Sequence, residues 1–168
     1  MPPAAVPSSI ERPTVGVAVV IEREANPNPY EAWRFTIAEV VPDEAAFGSA
    51  PRLLRDDGRR SRTLFPGFTL ALHPDQADGY YLNLSSGAPV WFVVWRIDDD
   101  DPSRAWPETV SLSYTEAGRW LDAQERVDNV PLGADLAAWL QAYTDEHYRP
   151  EPKKRRRPQS FLAPEDRR

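Results

Sequence analysis

The sequence predicts an α+β fold: an antiparallel β-barrel or sandwich of about seven strands, followed by two C-terminal helices. Three observations lead to this prediction. Apolar residues make up 41% of the 168 residues, which is enough to bury one core. Short alternating apolar segments separated by turn residues recur through the first two thirds of the chain. The hydrophobic period then changes from 2 to 3.6.

The first four predicted strands lie before residue 73. Residues 15–21 are rich in β-branched side chains, which predicts a central strand buried on both faces. Residues 33–40 alternate, so one of their faces should meet solvent. Residues 52–55 form a short strand that a turn at residues 56–58 closes into a hairpin. Residues 68–72 alternate again and stop at His73-Pro74.

The last predicted strands and the two helices complete the domain. Strands are predicted at residues 80–84, 90–97 and 109–114, of which the second is the most strongly β-forming. Ser113 with Glu116 three residues later fits a capping box, which predicts a helix with Ala117, Trp120, Leu121 and Gln124 on one face. A second helix over residues 134–148 should pack on the sheet through a stripe formed by Leu136, Trp139, Leu140, Tyr143 and His147.

Composition divides the chain into three parts. Residues 1–13 hold four prolines and no apolar period, which predicts a disordered leader. Residues 14–148 form one β-rich domain. Residues 149–168 carry eight Lys or Arg and three acidic residues, which predicts a basic disordered tail on an acidic body. Because an acidic body repels phosphates, the composition argues against nucleic acid as the partner.

The sequence lacks the residues that several classes of function require. Cysteine is absent and only His73 and His147 supply imidazoles, so no metal site is predicted. No nucleophile elbow or glycine-rich phosphate loop occurs, and the four aspartates at residues 98–101 do not fit a calcium loop. We therefore expect no enzyme activity and no cofactor. The chain has no apolar run of membrane-spanning length and no signal peptide, which predicts a cytoplasmic protein.

Two groups of residues are candidates for binding. Trp91 and Trp95 lie four apart on one strand and so share a face, which with Arg96 could bind a small ligand, although the apolar Phe92 and Val94 on the other face favour core packing for the tryptophans. The second group is the basic run of the tail with an apolar residue beyond it, which could dock on acidic surfaces of a partner protein. Its members are Lys153, Lys154, Arg155, Arg156, Arg157 and Phe161.

Five segments of the chain resemble the bacterial domain-of-unknown-function family 3305. They are the segments at residues 64–70, 79–84, 88–96, 113–120 and 147–158. The resemblance runs from about residue 14 to residue 158, and its departures lie in the leader and around residues 98–106. It carries no catalytic residues. Members look like products of genes found beside molybdopterin-dependent formate dehydrogenase-like oxidoreductases, ferredoxins and their assembly factors.

This resemblance implies a protein partner. The first hypothesis is a non-catalytic accessory protein, a small subunit or an assembly factor, that binds such an oxidoreductase or its ferredoxin-type electron-transfer partner. The alternative is a β-barrel module that binds a pterin- or nucleotide-like small molecule.

Overall fold

The computed structural model describes residues 13–26, 28 and 30–150. It contains seven strands and three α-helices within this part of the chain. The strands are β1 (Thr14–Ala25), β2 (Trp33–Pro42), β3 (Arg52–Asp56), β4 (Arg60–Ala71), β5 (Val90–Ile97), β6 (Ala105–Ser111) and β7 (Arg126–Pro131). The helices are α1 (Ala77–Ser85), α2 (Tyr114–Asp122) and α3 (Ala134–His147). No described helix has the length and apolar character that crossing a bilayer requires.

The strands form two separate antiparallel sheets. The first has the order β2-β1-β4-β3 and the second has the order β6-β5-β7. One face of each sheet contributes to a shared core, so the arrangement is a two-layer sandwich with helices at one end. The prediction of a sandwich is therefore confirmed, whereas a closed barrel finds no support in the described strands.

The central strand of each sheet is buried on both faces, as a run of β-branched and aromatic residues predicts. In β1 the five residues from Val17 to Ile21 are all buried. Their inward side chains join the core between the sheets, and Ala18 and Val20 form a smaller cluster on the outer face. Irregularities interrupt the pairing of β1 with both of its neighbours, so the strand cannot slip in register without breaking its inward pattern.

Helices α1 and α3 close one end of the space between the sheets. Tyr80 of α1 and Tyr143 of α3 meet edge to face, with ring centroids 6.1 Å apart, and both belong to the core cluster. Burial raises the pKa of Tyr80 to about 12. Its hydroxyl stays neutral and accepts a hydrogen bond from the backbone N–H of His73 at 3.0 Å. We call this region the helical end.

Buried polar side chains at the helical end have their hydrogen-bond partners. Asn83 is buried, and its Nδ2 donates to the carbonyls of Val90 and Leu112 at 2.9 and 3.0 Å. Its Oδ1 accepts from the Val90 N–H at 3.0 Å. One amide thus joins α1 to β5 and to the segment after β6. Such a fully satisfied side chain fixes the helix in one position on the sheet.

A serine relay caps α2. The Ser113 Oγ accepts from the Glu116 N–H at 3.2 Å and donates to Gln76 at 2.7 Å. In a capping box the Glu116 carboxylate would accept directly from the Ser113 N–H. Here Ser111 bridges these two groups, because its Oγ accepts from the Ser113 N–H and donates to the Glu116 carboxylate. The predicted N-terminus of this helix is confirmed. Gly79 of α1 lies so close that an added Cβ would stand 2.1 Å from the Ser113 Oγ.

Three sequence predictions are wrong in detail. Residues 80–84 belong to helix α1, because Ala77, Tyr80 and Asn83 recur at a spacing of three and face the core. Residues 129–131, interpreted as an interruption between the two helices, belong to strand β7, which pairs with β5. Consequently the last two helices are separated by a strand. The strand predicted at residues 109–114 begins earlier and ends earlier, as β6.

The other predicted elements are present, but the strand predicted at residues 68–72 is the end of the longer β4. Of the predicted face of α2, Leu121 is exposed and Gln124 lies beyond the helix. The β3–β4 hairpin forms around Gly58, whose φ of 88° suits a turn. Helix α3 presents Leu136, Trp139, Leu140 and Tyr143 to the core cluster. The basic tail beyond residue 150 and the leader before residue 13 lie outside the described residues.

Candidate functional site

The end of the sandwich opposite the helices is open. A cleft of about 590 Å³ lies there between the first sheet and the loop that joins β5 to β6. We call it the open-end cleft. Its walls combine apolar and polar side chains. They include Ile21, Arg23, Phe35, Leu53, Asp56, Ser61, Thr63, Phe65, Arg104 and Trp106.

Strand alternation explains which side chains reach the open-end cleft. Side chains two residues apart on a strand share a face, so Arg23 continues the inward face that carries Ile21. On β4, Ser61 pairs with Arg23 and Thr63 pairs with Ile21. On β2, Phe35 is the partner of Arg23. The cleft is therefore the continuation of the core beyond the point at which the second sheet stops covering the first.

Arg23 is held in a fixed position within the cleft. Its Nη1 donates to the carbonyl of Ser103 at 2.9 Å, and its guanidinium carbon lies 4.2 Å from the centroid of the Trp33 ring. Its Nε is buried and has no hydrogen-bond partner. No carboxylate among the described residues forms an ion pair with it. Arg23 is thus a partly buried cation that lacks an ion pair among the described residues. Hydrogen bonds from Ser103 lower the pKa of the Asp101 carboxyl, and Arg23 lies near enough to contribute to this lowering.

A second cavity, of about 720 Å³, lies on the other side of Phe35. It is lined by aromatic and charged residues, among them Tyr30, Trp33, Trp95 and Arg126. The buried indole N–H of Trp95 makes no hydrogen bond of standard geometry. It is nevertheless close enough to Asp128 to favour the ionised carboxylate, but burial outweighs this effect and the pKa of Asp128 is raised.

The three residues predicted to bind a small ligand lie on opposite faces of β5. Trp91 and Trp95 do share a face, but it is the core face, where they are 1% and 8% exposed. Arg96 points to the opposite side of β5 and meets Glu125 at 3.2 Å and Glu108 at 3.9 Å. The three side chains therefore do not form one site. Ligand binding by Trp95 through the second cavity stays a prediction.

The histidines and the acidic loop do not come together. The His73 backbone bonds to Tyr80, and His147 packs on Tyr143 with ring centroids 4.2 Å apart. Asp98 and Asp101 close a turn by accepting backbone N–H groups of the same loop. Within the part of the chain that the structure describes, no group of three His, Asp or Glu side chains could hold a metal ion.

Strand β3 is a second candidate site. It stands at the edge of the first sheet and pairs with β4 alone among the described strands. All five of its residues are exposed, and Leu53 and Leu54 are 59% and 49% exposed. An edge strand with free backbone groups and exposed leucines is a template for adding another strand.

Charge is concentrated on the β3–β4 hairpin. Residues 52–62 hold five arginines and two aspartates, on a chain with a net charge of −6. On β4, Arg60 and Arg62 are bound by glutamates of the neighbouring strand at 2.9 Å. Arg52 and Arg55 make no ion pair with described residues. Arg55 also lies directly opposite Arg62 on β4. The two cations repel each other, and a carboxylate bound between them would reduce this repulsion.

Sequence reasoning missed both the cleft and the edge. Arg23 follows an apolar run, and such a residue usually marks a strand end in solvent. Its neighbours in the cleft come from segments up to 80 residues away, as the bond to Ser103 illustrates. Leu53 and Leu54 suggested a strand, but no local pattern tells an edge strand from a central one. The predicted tail residues Lys153, Lys154, Arg155, Arg156, Arg157 and Phe161 lie outside the described residues.

Fold and sites together define an α+β sandwich with an uncovered edge and one open end. Residues 16–157 match the family described as "Protein of unknown function (DUF3305)". Because the match covers most of the chain, this protein belongs to that family. The comparisons with curated proteins and with solved structures each found no match.

Proposed function

We propose that this protein is a non-catalytic accessory protein, a small subunit or assembly factor, that binds a molybdopterin-dependent formate dehydrogenase-like oxidoreductase or its electron-transfer partner. The observation that carries the docking role is the exposed edge strand β3, with two leucines in solvent and arginines on either side. The identity of the partner rests on the family resemblance.

The backbone of β3 supports docking by strand addition. A partner segment in extended conformation would bond to the free edge of β3 and become the fifth strand of the first sheet. Main-chain bonds supply affinity in this mode. Exposed side chains supply specificity, and Leu53 and Leu54 are the large apolar side chains that this strand exposes.

The charges on the hairpin specify an acidic partner segment. Arg52 and Arg55 are available for ion pairs, and carboxylates bind arginine with two parallel hydrogen bonds. The acidic remainder of the domain repels an acidic segment from other surfaces, which directs it to β3. The basic residues 153–157 would add a second contact to the same partner, which raises its effective concentration at the edge.

Affinity purification of the tagged full-length chain from native cells tests this function. We expect oxidoreductase or ferredoxin-type subunits to be recovered at low salt. Leu54→Asp should reduce the recovery at least tenfold, because it places a carboxylate in the docking edge. Leu121→Asp is the matched control, since Leu121 is 56% exposed on α2, and it should leave the recovery unchanged.

A third variant that ends at Pro152 separates the two contacts. Recovery that falls with the truncation and not with Leu54→Asp would assign docking to the tail instead of β3. If no molybdoenzyme or ferredoxin component accompanies the full-length protein above background, the accessory function is wrong.

A further inference from the structure

We propose that the open-end cleft binds a small organic carboxylate with an aromatic body, and that Arg23 is the residue that binds its carboxylate. This inference does not depend on docking by β3. It places small-molecule binding in the open-end cleft, and not at Trp91 or Arg96.

The first argument is the unbalanced charge of Arg23. The fold removes part of this guanidinium from water, and among the described residues its hydrogen-bond partner is one carbonyl, that of Ser103, while Asp101 of the exposed loop is near it but forms no ion pair. Burying an unpaired cation is costly unless an anion joins it. A bound carboxylate would neutralise the guanidinium through charge-assisted hydrogen bonds. Since Trp33 and Ser103 already hold the side chain, little further ordering is needed on binding.

The second argument is the shape and lining of the cleft. Its volume of about 590 Å³ lies within the range of about 300–1,000 Å³ that is typical of small-molecule sites. Aromatic rings from three elements line it: Phe35 on β2, Phe65 on β4 and Trp106 on β6. Aromatic walls with one cation suit a flat apolar ligand that carries one negative charge.

The charges at the rim indicate a monoanion. Arg104, the other cation of the cleft, is 68% exposed and already faces Asp98 at 3.8 Å. Asp56 places a carboxylate on the opposite wall. A dianion such as a phosphate monoester would leave one charge unmatched beside Asp56, whereas a carboxylate matches Arg23 alone.

Calorimetric titration of the full-length protein with 2-naphthoate tests the proposal. The neutral 2-naphthalenemethanol and the dianionic 2-naphthyl phosphate have the same ring and serve as comparison ligands. We expect saturable binding of 2-naphthoate with a dissociation constant below about 1 mM, and binding about tenfold weaker for both comparison ligands.

Two variants locate the site. Arg23→Met should weaken 2-naphthoate binding by about tenfold or more, while Arg119→Met on the exposed face of α2 should not change it. Urea unfolding establishes that each variant is folded. Leu53→Trp provides an independent variant that keeps Arg23: Leu53 is exposed and lines the cleft, so the larger ring should fill the cleft and block binding.

Three results would overturn the proposal. The first is an absence of saturable 2-naphthoate binding up to about 1 mM. The second is equal affinity for 2-naphthoate and 2-naphthalenemethanol. The third is unchanged affinity in folded Arg23→Met or in Leu53→Trp. None of these results bears on docking, which is tested through Leu54, a residue that does not line the cleft.

Discussion

The two ends of the space between the sheets are built differently. At the helical end, buried polar side chains such as Asn83 and Ser113 have their hydrogen-bond partners. At the open end, the Nε of Arg23, the Nδ2 of Asn26 and the Nε1 of Trp95 are buried without a hydrogen bond of standard geometry. In the part of the chain that the structure describes, these three are the buried side-chain nitrogen or oxygen atoms that lack such a hydrogen bond.

This difference indicates that the helical end stabilises the fold and that the open end serves the proposed ligand binding. Satisfied polar groups fix α1 and α2 on the sheets, so the helical end should supply much of the cooperative stability of the domain. Unsatisfied groups beside a cleft cost stability and are retained where a site needs them. Substitutions at the helical end should therefore destabilise strongly, and substitutions at the open end should change stability little.

Asn83→Ala should have the largest effect. It removes three hydrogen bonds and leaves the backbone groups of Val90 and Leu112 buried without those partners. We expect the free energy of unfolding to fall by about 3–5 kcal/mol in urea titrations. Asn129→Ala, at an exposed position of β7, is the control and should change it by less than about 0.5 kcal/mol. Equal effects of the two substitutions would contradict the role given to the helical end.

Gly79→Ala should have the next largest effect. Its Cβ would stand 2.1 Å from the Ser113 Oγ, so the serine must rotate and lose its bonds to Gln76 and Glu116. We expect a loss of about 2–3 kcal/mol in the same titration. Gly118→Ala is the matched control, because an added Cβ on this α2 residue meets no atom within 4 Å. It should stabilise the protein by about 0.5–1 kcal/mol, and a loss there would contradict the packing described for α2.

Asp128→Asn at the open end should have the smallest effect. Burial raises the pKa of Asp128, so ionisation destabilises the folded state at neutral pH. The amide should therefore raise the free energy of unfolding at pH 7, by less than about 1 kcal/mol because the side chain is partly solvated. Below about pH 3 the carboxyl is largely protonated in both states and the gain should vanish.

Urea titrations at neutral and at acidic pH measure this difference, with Asp99→Asn in the exposed loop as the control. A gain that grows as the pH falls would contradict the raised pKa.

The sequence predicted most elements because their patterns are local. Residues 90–97 and the Ser113 cap needed only neighbours in the chain to be identified. The strand predicted at residues 80–84 is wrong because five residues fit either period, and the helical spacing of Ala77, Tyr80 and Asn83 includes a residue before that segment. Strand β7 was not predicted because Val127 and Val130 are its only β-branched residues. Its structure is determined by pairing with β5.

The candidate sites were harder to predict than the elements. Trp91 and Trp95 were correctly placed on one face, but which face is buried depends on the packing of two sheets. The open-end cleft combines β1, β2, β4 and the loop after β5, and no spacing along the chain brings them together. Edge position is likewise a property of the whole sheet.

The arginines of β3 also bear on the solubility of the free protein. Two copies could join through their β3 edges in an antiparallel register, which would bring Arg52 and Arg55 of one copy beside those of the other. The like charges oppose that register, as gatekeeper residues do beside aggregation-prone strands. The residues proposed to select an acidic partner would thus also keep unbound copies apart until the partner arrives.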